Sequence, residues 1–170
     1  MRIVAGKFAG RHLTSPNDFR VRPTGETVRV ALMRLLRNDL EGARIIDLFA
    51  GTGALGLEAL SRGGKYVDFV EFRPSSLHAL KANIAALGVR EKTRVYKKDA
   101  LPFAGALPSG KFDIAFADPP YESKMLDRLI ASGEVRWRRV STRSLRRGVI
   151  LERTHRPREV GAPQVVQLRP

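Results

Sequence analysis

Short apolar runs alternate with amphipathic segments along most of the chain. The apolar runs have the length and the side-chain types of strands buried in a sheet. They lie at residues 43–48, 66–71, 93–96, 112–117, 148–152 and, more weakly, 164–168. Apolar residues at helical spacing predict helices after Thr24, over 54–62, over 74–87 and near 125–130. Strands that alternate with helices in this way predict an α/β fold with a doubly wound, mostly parallel sheet.

The beginning of the chain departs from this alternation. Residues 2–8 and 11–13 flank Ala9 and Gly10 and predict a small β-hairpin, which is followed by a loop rich in Pro, Asn and Asp. The hairpin is too short and too polar to form a domain of its own. We therefore expect an N-terminal hairpin arm at residues 1–22 and one larger domain at residues 23–170.

Composition narrows the possible chemistry. The chain has 170 residues and no cysteine, which excludes thiolate zinc sites, cysteine-ligated iron–sulfur clusters and thiol nucleophiles. His12, His78 and His155 lack the spacing of metal ligands, so no metal site is expected. No apolar stretch resembles a signal peptide or approaches the ~20 residues of a membrane helix. We expect a soluble cytoplasmic enzyme or binding protein.

The charge of the chain suggests a partner. Its 31 Lys and Arg against 17 Asp and Glu give a formal net charge of +14. Arginines concentrate between residues 2 and 37 and between residues 136 and 158, whereas residues 45–127 are nearly balanced. A polyanion, above all a nucleic acid, is the partner that this pattern favours. The alternative is a solvated basic face without any partner.

A glycine-rich loop lies between the first strand and the helix at 54–62. Residues 51–56 match the pattern G-x-G-x-x-G, and Glu71 ends the next strand, where a carboxylate can accept hydrogen bonds from ribose hydroxyls. The motif alone does not separate NAD from S-adenosylmethionine, because both contain an adenosine ribose. Asp47 favours S-adenosylmethionine, since a carboxylate there can meet the ligand's ammonium group but would repel a pyrophosphate.

The tetrapeptide Asp118-Pro119-Pro120-Tyr121 follows the strand at 112–117. Two prolines make a stiff turn that has lost two backbone donors, so carbonyls and the Asp118 carboxylate can face a ligand. Such acceptors suit an exocyclic amine of a nucleobase, one hydrogen going to Asp118 and one to the Pro119 carbonyl. Tyr121 can stack on a base that has left its own stack. The alternative is a rigid loop with a merely structural aspartate.

These motifs resemble a known family. Residues 47–53 together with 118–121 resemble class I methyltransferases that act on exocyclic amines. Residues 2–7, 22–24 and 48–62 narrow the resemblance to the bacterial 16S rRNA guanine-N2 methyltransferases of the RsmD type. The resemblance runs from about Arg2 to Tyr121 and more weakly to Glu152. It implies a Rossmann-like class I methyltransferase domain and an S-adenosylmethionine cofactor.

The resemblance also implies roles for individual residues. The expected cofactor-binding residues are Asp47, Phe49, Ala50, Gly51, Thr52, Gly53, Glu71, Phe72, Asp99 and Ala100. The expected catalytic residues, which grip the guanine N2 group, are Asp118, Pro119, Pro120 and Tyr121. RNA contacts are expected from Arg2, Lys7, Arg11, Arg22 and Thr24. The expected partner is 16S rRNA or a partly assembled small subunit, bound by a monomer.

Several alternatives stay open from the sequence. The tetrapeptide does not choose the base, so an adenine-N6 methyltransferase on DNA or another RNA is the second hypothesis. A nucleotide-binding oxidoreductase and a non-catalytic RNA-binding assembly factor are hypotheses of other classes. Thr24 meets the target backbone or caps the following helix, and Asn83 is expected to be structural. The Arg-rich segment 136–147 and the short end after Arg158 depart from the family pattern.

Overall fold

The computed structural model describes residues 1–16, 24–108, 110–119 and 125, together with three strands nearer the C-terminus. The helices are α1 (Glu26–Leu35), α2 (Ala54–Ser61), α3 (Pro74–Leu87) and α4 (Ala100–Gly105), with a 3-10 turn at Arg90–Lys92. The strands are β1 (Arg44–Asp47), β2 (Tyr66–Val70), β3 (Thr93–Tyr96), β4 (Ile114–Ala117), β5 (Arg138–Ser144), β6 (Val149–Arg153) and β7 (Gln164–Gln167). The predicted alternation of strand and helix is confirmed.

The strands form one sheet in the order β3-β2-β1-β4-β7-β5-β6. All neighbouring pairs are parallel except β5 and β6, which are antiparallel. Ile45 of β1 pairs with Val67 on one side and with Ile114 on the other. The strand order therefore reverses between β1 and β4, and the crevice beyond their carboxyl ends is where such sheets bind ligands. The mostly parallel, α/β fold class that the sequence predicts is confirmed.

Alternating side chains of the central strands build two apolar layers. Ile45 and Phe116 belong to the layer that packs against α2 and α3, whereas Ile46 and Ala117 belong to the layer beside α4. Successive residues of a strand point to opposite faces, so a run that is apolar throughout indicates a sheet covered on both sides. This burial fixes β1 and β4 at the centre of the molecule and makes their ends a rigid support for a site.

Helix boundaries follow the sequence signals. Pro74 occupies the first turn of α3, and Gly88 ends the helix in the left-handed conformation at φ +66°. The helix predicted over 54–62 is α2, which ends one residue earlier. The helix predicted after Thr24 is α1, with Gly25 at its N-cap position. Of the helix predicted near 125–130, only Met125 lies within the described residues, and it is helical.

The N-terminal segment forms less β-structure than expected. Its two halves pair through a single antiparallel bridge between Arg2 and His12, and turns occupy most of the residues between them. The expectation of an essentially polar arm is also wrong in part, because Ile3 and Leu13 are buried in the larger apolar layer. The described residues 1–16 are therefore packed onto the sheet domain.

Two elements were missed by the sequence prediction. Strand β5 has the sequence Arg-Arg-Val-Ser-Thr-Arg-Ser, so it lacks the apolar run that marks the other strands. Helix α4 has six residues, one of them a proline, which is too short for helical periodicity to be recognised. The strands predicted at 148–152 and 164–168 correspond to β6 and β7. No helix in the described part of the chain is long and apolar enough to cross a bilayer.

Candidate active site at the carboxyl ends of the central strands

A cavity of about 600 Å³ opens beyond the carboxyl ends of β1, β2 and β4. Its lining side chains are far apart in the sequence but close in the fold, because parallel strands end at the same edge of the sheet. The lining residues are Thr24, Asp47, Leu48, Phe49, Ala50, Gly51, Thr52, Ala54, Leu55, Val70, Glu71, Phe72, Arg73, Ser76, Lys98, Asp99, Ala100, Asp118, Pro119 and Met125. Nearly all the described residues that the sequence assigned to cofactor binding or catalysis are among them.

The glycine loop is held by a hydrogen bond from its backbone to the side chain of Glu71. Glu71 Oε2 accepts a hydrogen bond from the Gly51 backbone N–H at 2.7 Å. The other oxygen of Glu71 accepts from the backbone N–H groups of Phe72 and Arg73 at 2.8 and 2.7 Å. Glu71 therefore orders the loop in addition to facing the cavity, and Oε2 retains a free lone pair because a carboxylate oxygen can accept two hydrogen bonds.

Gly53 was predicted to contact the cofactor, but it does not line the cavity. It precedes α2 with φ +82°, and a Cβ built there would lie 2.4 Å from Leu80 Cδ1. Gly56 is limited in the same way, since its Cβ would lie 2.4 Å from Phe69 Cε1. These two glycines allow α2 to pack closely on β2 and α3, whereas Gly51 belongs to the cavity wall.

Asp47 is a buried carboxylate with an incomplete set of partners. Oδ2 accepts a hydrogen bond from the Gly56 N–H at 3.2 Å, and Oδ1 has no hydrogen-bond partner among the residues that the structure describes. Burial raises the pKa of Asp47 to about 7, and the nearby Asp118 and Glu71 carboxylates also raise it, whereas the Gly56 N–H opposes the shift. A buried, unpartnered oxygen at a cavity wall suits a cationic ligand group.

Asp118 directly follows β4 and lines the same cavity as the glycine loop. Its Oδ2 accepts a hydrogen bond from Thr24 Oγ1 at 2.5 Å. Burial raises the pKa of Asp118 above its ordinary value, and the Thr24 hydroxyl partly offsets the shift. Pro119 lines the cavity beside it. Pro120 and Tyr121 lie outside the described residues, so their predicted catalytic roles stay predictions.

The remaining predicted cofactor residues occupy the rim of the cavity. Phe72 is 66% exposed, which leaves its ring free to cover a planar ligand. Asp99 is exposed and caps α4, since its Oδ1 accepts a hydrogen bond from the Leu101 N–H at 3.0 Å. The sequence did not suggest this capping role. Arg73 and Lys98 were missed as lining residues, although each lies a few residues beyond the end of a predicted strand.

The predicted RNA-binding residues are divided between surface and cavity. Arg2 is exposed and forms an ion pair with Glu26 at 3.4 Å. Arg11 donates to the Ala86 carbonyl at 2.7 Å, and Lys7 is exposed beside the Phe8 ring. The suggestion that Thr24 caps α1 is wrong, because the helix has no side-chain cap. Arg22 lies outside the described residues.

Two buried charges were not anticipated as structural residues. Arg29 is 1% exposed and donates to the carbonyls of Thr24 and Arg2, while Glu58 is fully buried and accepts from the Val4 and Ala5 N–H groups. Arg29, one of the arginines concentrated between residues 2 and 37, therefore adds nothing to a basic surface. The signal was its helical spacing with Leu32, Met33 and Leu36, which places it on the apolar face of α1.

Asn83 has the structural role that the sequence suggested. Its Oδ1 accepts from the Thr14 N–H at 2.7 Å, and its Nδ2 donates to the carbonyls of Thr14 and Thr52 at 3.0 and 2.9 Å. One buried amide thus joins the N-terminal segment to the glycine loop. Among the described residues, no group of His, Cys, Asp or Glu is arranged to hold a metal ion.

Comparison with known proteins gives consistent matches over most of the chain. The family model described as "Conserved hypothetical protein 95" matches residues 1–144. The protein named "Ribosomal RNA small subunit methyltransferase D" from Haemophilus influenzae is 35% identical over 134 residues, covering 77% of this chain and 69% of that protein. Its namesake from Escherichia coli is 35% identical over 130 residues, covering 76% of this chain and 65% of that protein.

Solved structures agree with these sequence matches. A structure from Escherichia coli, described as a candidate methyltransferase, aligns with a TM-score of 0.68 at 35% identity and covers 76% of this chain and 70% of that chain. A hypothetical protein from Thermus thermophilus aligns with a TM-score of 0.67 at 35% identity and covers 81% of each chain. These relatives therefore share the fold of this chain over most of its length.

Proposed function

This chain belongs to the family described as "Conserved hypothetical protein 95", the RsmD-type methyltransferases, and on this premise we propose that it methylates the exocyclic N2 of a guanine in 16S rRNA, with S-adenosylmethionine as methyl donor. The observation that carries the proposal is the position of Asp118. Its carboxylate lies at the strand-order reversal, on the wall of the same cavity as the glycine loop. An acceptor for an amine and a site for an adenosine cofactor therefore adjoin each other.

The charges of the cavity fit S-adenosylmethionine better than a dinucleotide. S-adenosylmethionine has an ammonium group and a sulfonium, and the cavity wall contains four carboxylates against two basic side chains, which are Asp47, Glu71, Asp99 and Asp118 against Arg73 and Lys98. The unpartnered Asp47 Oδ1 would gain a partner from the ammonium group. A pyrophosphate in the same place would face these carboxylates, which disfavours the nucleotide-binding oxidoreductase. When bound, S-adenosylmethionine supplies an electrophilic methyl group.

The chain's own residues prepare the nucleophile. The guanine N2 group has two N–H donors and a lone pair that is delocalised into the ring, so it is a weak nucleophile. Asp118 accepts one hydrogen and the Pro119 carbonyl accepts the other, which orients the nitrogen toward the methyl group. As the N–C bond forms and the S–C bond breaks, positive charge develops on N2. The Asp118 carboxylate stabilises this charge and accepts the proton that N2 releases.

The RNA is held outside the cavity by basic residues. We propose residues 1–22 as an RNA-contacting arm and residues 23–170 as the methyltransferase domain. Lys7 and Arg11 are exposed on the N-terminal segment, which is bonded to α2 and α3 through Glu58 and Asn83. A fixed arm would orient the RNA relative to Asp118 while the net charge of +14 attracts the phosphate backbone.

Identifying the methylated nucleoside tests this function. The protein is incubated with methyl-labelled S-adenosylmethionine and either naked 16S rRNA or partly assembled small subunits, and the RNA is digested to nucleosides. We expect label in N2-methylguanosine. Label in N6-methyladenosine would instead support the adenine-N6 hypothesis, for which DNA is assayed in parallel. No transfer to any nucleic acid would contradict the proposal and favour a non-catalytic RNA-binding assembly factor.

A further inference from the structure

Thr24 lies in the cavity wall with its hydroxyl committed to Asp118. The Thr24 Oγ1 to Asp118 Oδ2 distance of 2.5 Å is that of a short, charge-assisted hydrogen bond. The hydroxyl hydrogen is used in this bond, and one of the two carboxylate oxygens accepts it. Among the described residues no donor contacts Asp118 Oδ1, so this oxygen has more acceptor capacity left for a substrate amine than Oδ2, and the bond from Thr24 restrains the plane of the carboxylate.

The backbone of Thr24 is itself held by a buried guanidinium. Arg29 Nη1 donates to the Thr24 carbonyl at 2.7 Å, and Arg29 Nη2 donates to the Arg2 carbonyl at 2.8 Å. Arg29 is 1% exposed, and burial lowers its pKa, whereas the charges of Glu58 and Glu26 raise it. The planar fork of one arginine thus joins the N-terminal segment to the residue that orients Asp118.

We propose that Thr24 is a positioning residue that holds the Asp118 carboxylate in its reactive orientation, and that Arg29 makes this orientation depend on the docked N-terminal segment. The inference rests on the proposed function, because it assigns Asp118 to the reacting amine. It differs from the expectation that Thr24 contacts the RNA backbone. It also gives the arm a second effect on the reaction besides holding RNA.

The Thr24 hydroxyl affects the protonation state of Asp118 as well as its orientation. The charged groups of the same wall are Asp47, Glu71, Asp99, Arg73 and Lys98, and Arg29 lies behind Thr24. Burial favours the neutral form of Asp118, whereas the Thr24 hydroxyl favours the carboxylate. Because only the carboxylate can accept from the amine and stabilise positive charge, losing the hydroxyl shifts the acid limb of the rate profile to higher pH.

Two substitutions at Thr24 and one matched control test the positioning role. Thr24→Val removes the hydroxyl at nearly constant side-chain volume, and Thr24→Ser retains the hydroxyl. The control is Thr93→Val, which removes the hydroxyl bonds to the carbonyls of Val89 and Arg90 at the opposite end of the sheet. With RNA and S-adenosylmethionine saturating, we expect Thr24→Val to lower kcat about 100-fold, the cost typical of a misplaced reacting group. We expect the KM of Thr24→Val for RNA to stay near the wild-type value. Thr24→Ser should have a kcat close to that of wild type, and Thr93→Val should have the wild-type kcat.

A direct titration separates this inference from the proposed function. The Asp118 carboxyl carbon is followed by NMR as pH is varied in the cofactor-free protein, and we expect a higher pKa in Thr24→Val than in wild type or Thr24→Ser. Equal pKa values, or a wild-type kcat and acid limb in Thr24→Val, would overturn the inference. Failure of the wild-type protein to transfer a methyl group would overturn the proposed function instead, and the titration would still decide the Thr24 contact.

The part assigned to Arg29 is tested through non-additivity. Arg29→Lys retains the charge but removes the fork that holds two carbonyls, so we expect a slower methyl transfer with the same shift of the acid limb. If Arg29 acts through Thr24, the double variant with Thr24→Val is no slower than Thr24→Val alone. Additive losses in the double variant would show that Arg29 does not act through Thr24.

Discussion

At the residue scale, Asp47 is only 1% exposed, and its Oδ1 has no hydrogen-bond partner within the described part of the chain. Its pKa of about 7 is raised above the ordinary value of 3.8 chiefly by burial. The folded protein therefore holds a proton that the unfolded chain releases at lower pH. This contribution to stability is fully present below about pH 4 and is lost as pH rises through 7.

We expect the melting temperature of the cofactor-free wild-type protein to fall between pH 5 and 8 more steeply than that of Asp47→Asn, because the amide has no proton to lose. The difference between the two pH profiles gives the contribution of Asp47 alone, because other groups with raised pKa values, such as Asp118 and Asp68, contribute to both profiles. Differential scanning calorimetry in several buffers measures both profiles. Parallel profiles would show that Asp47 is already ionised throughout this range.

The sequence predicted the position of the cavity carboxylates but not the buried contacts of Arg29. The pattern of residues placed Asp47, Glu71 and Asp118 together because the ends of parallel strands meet at one edge. It could not reveal that Arg29 is buried and bonded to Thr24, because those contacts depend on how the N-terminal segment docks. An arginine in a basic chain is ordinarily a surface residue, and only its helical register pointed inward.

At the scale of elements, the glycine loop is connected to the N-terminal segment through α3. Asn83 accepts from or donates to three backbone groups of Thr14 and Thr52, and it is 1% exposed. Replacing it would remove the donor of the buried Thr52 carbonyl and both side-chain partners of the partly buried Thr14 backbone groups. The loop and the N-terminal segment therefore share one support.

Asn83→Ala should lower the free energy of unfolding by about 1–3 kcal/mol, the usual cost of unsatisfied buried polar groups. It should also weaken S-adenosylmethionine binding, because the Thr52 carbonyl loses its donor. Urea denaturation and calorimetric titration measure the two effects, with Lys81→Ala at an exposed position of α3 as the control. Stability and affinity equal to those of Lys81→Ala would show that the amide supports neither segment.

Elements with clear start and stop signals were predicted within a residue or two. Pro74 and Gly88 bounded α3, and the strands at the sheet centre were recognisable because both of their faces are apolar. Strand β5 was missed because three of its seven residues are arginines. The N-terminal hairpin was predicted too long because Gly6 and Gly10 adopt positive φ and close turns instead of extending the strands.

At the scale of the whole molecule, the chain is strongly basic, whereas carboxylates outnumber basic side chains in the cavity wall. The net charge of +14 acts over long distances on a polyanion, whereas Asp47, Glu71 and Asp118 act only on a ligand inside the cavity. The two partners of the proposed reaction have opposite charge requirements. The excess of basic residues in the chain therefore suits the RNA, whereas the cavity carboxylates, which lie beside Arg73 and Lys98, suit the cofactor.

RNA affinity should fall steeply with added salt, because binding releases counterions from the phosphates. Lys7→Ala should reduce the magnitude of the slope of log K against log salt by about 1, as expected for one lost phosphate contact. Lys92→Ala, which changes an exposed lysine at the amino end of β3, serves as the control. Fluorescence anisotropy with 16S rRNA fragments gives the slopes, and equal slopes for both variants would remove Lys7 from the RNA-binding surface.

The proposed reaction depends on Asp118 acting on the amine rather than on the cofactor. The most direct measurement is the single-turnover rate of methyl transfer by Asp118→Ala at saturating S-adenosylmethionine, with cofactor affinity measured on the same sample. We predict a rate at least about 100-fold below wild type, the loss typical of removing one electrostatic stabiliser, and a cofactor affinity that is largely retained. A transfer rate close to that of wild type would contradict this role of Asp118.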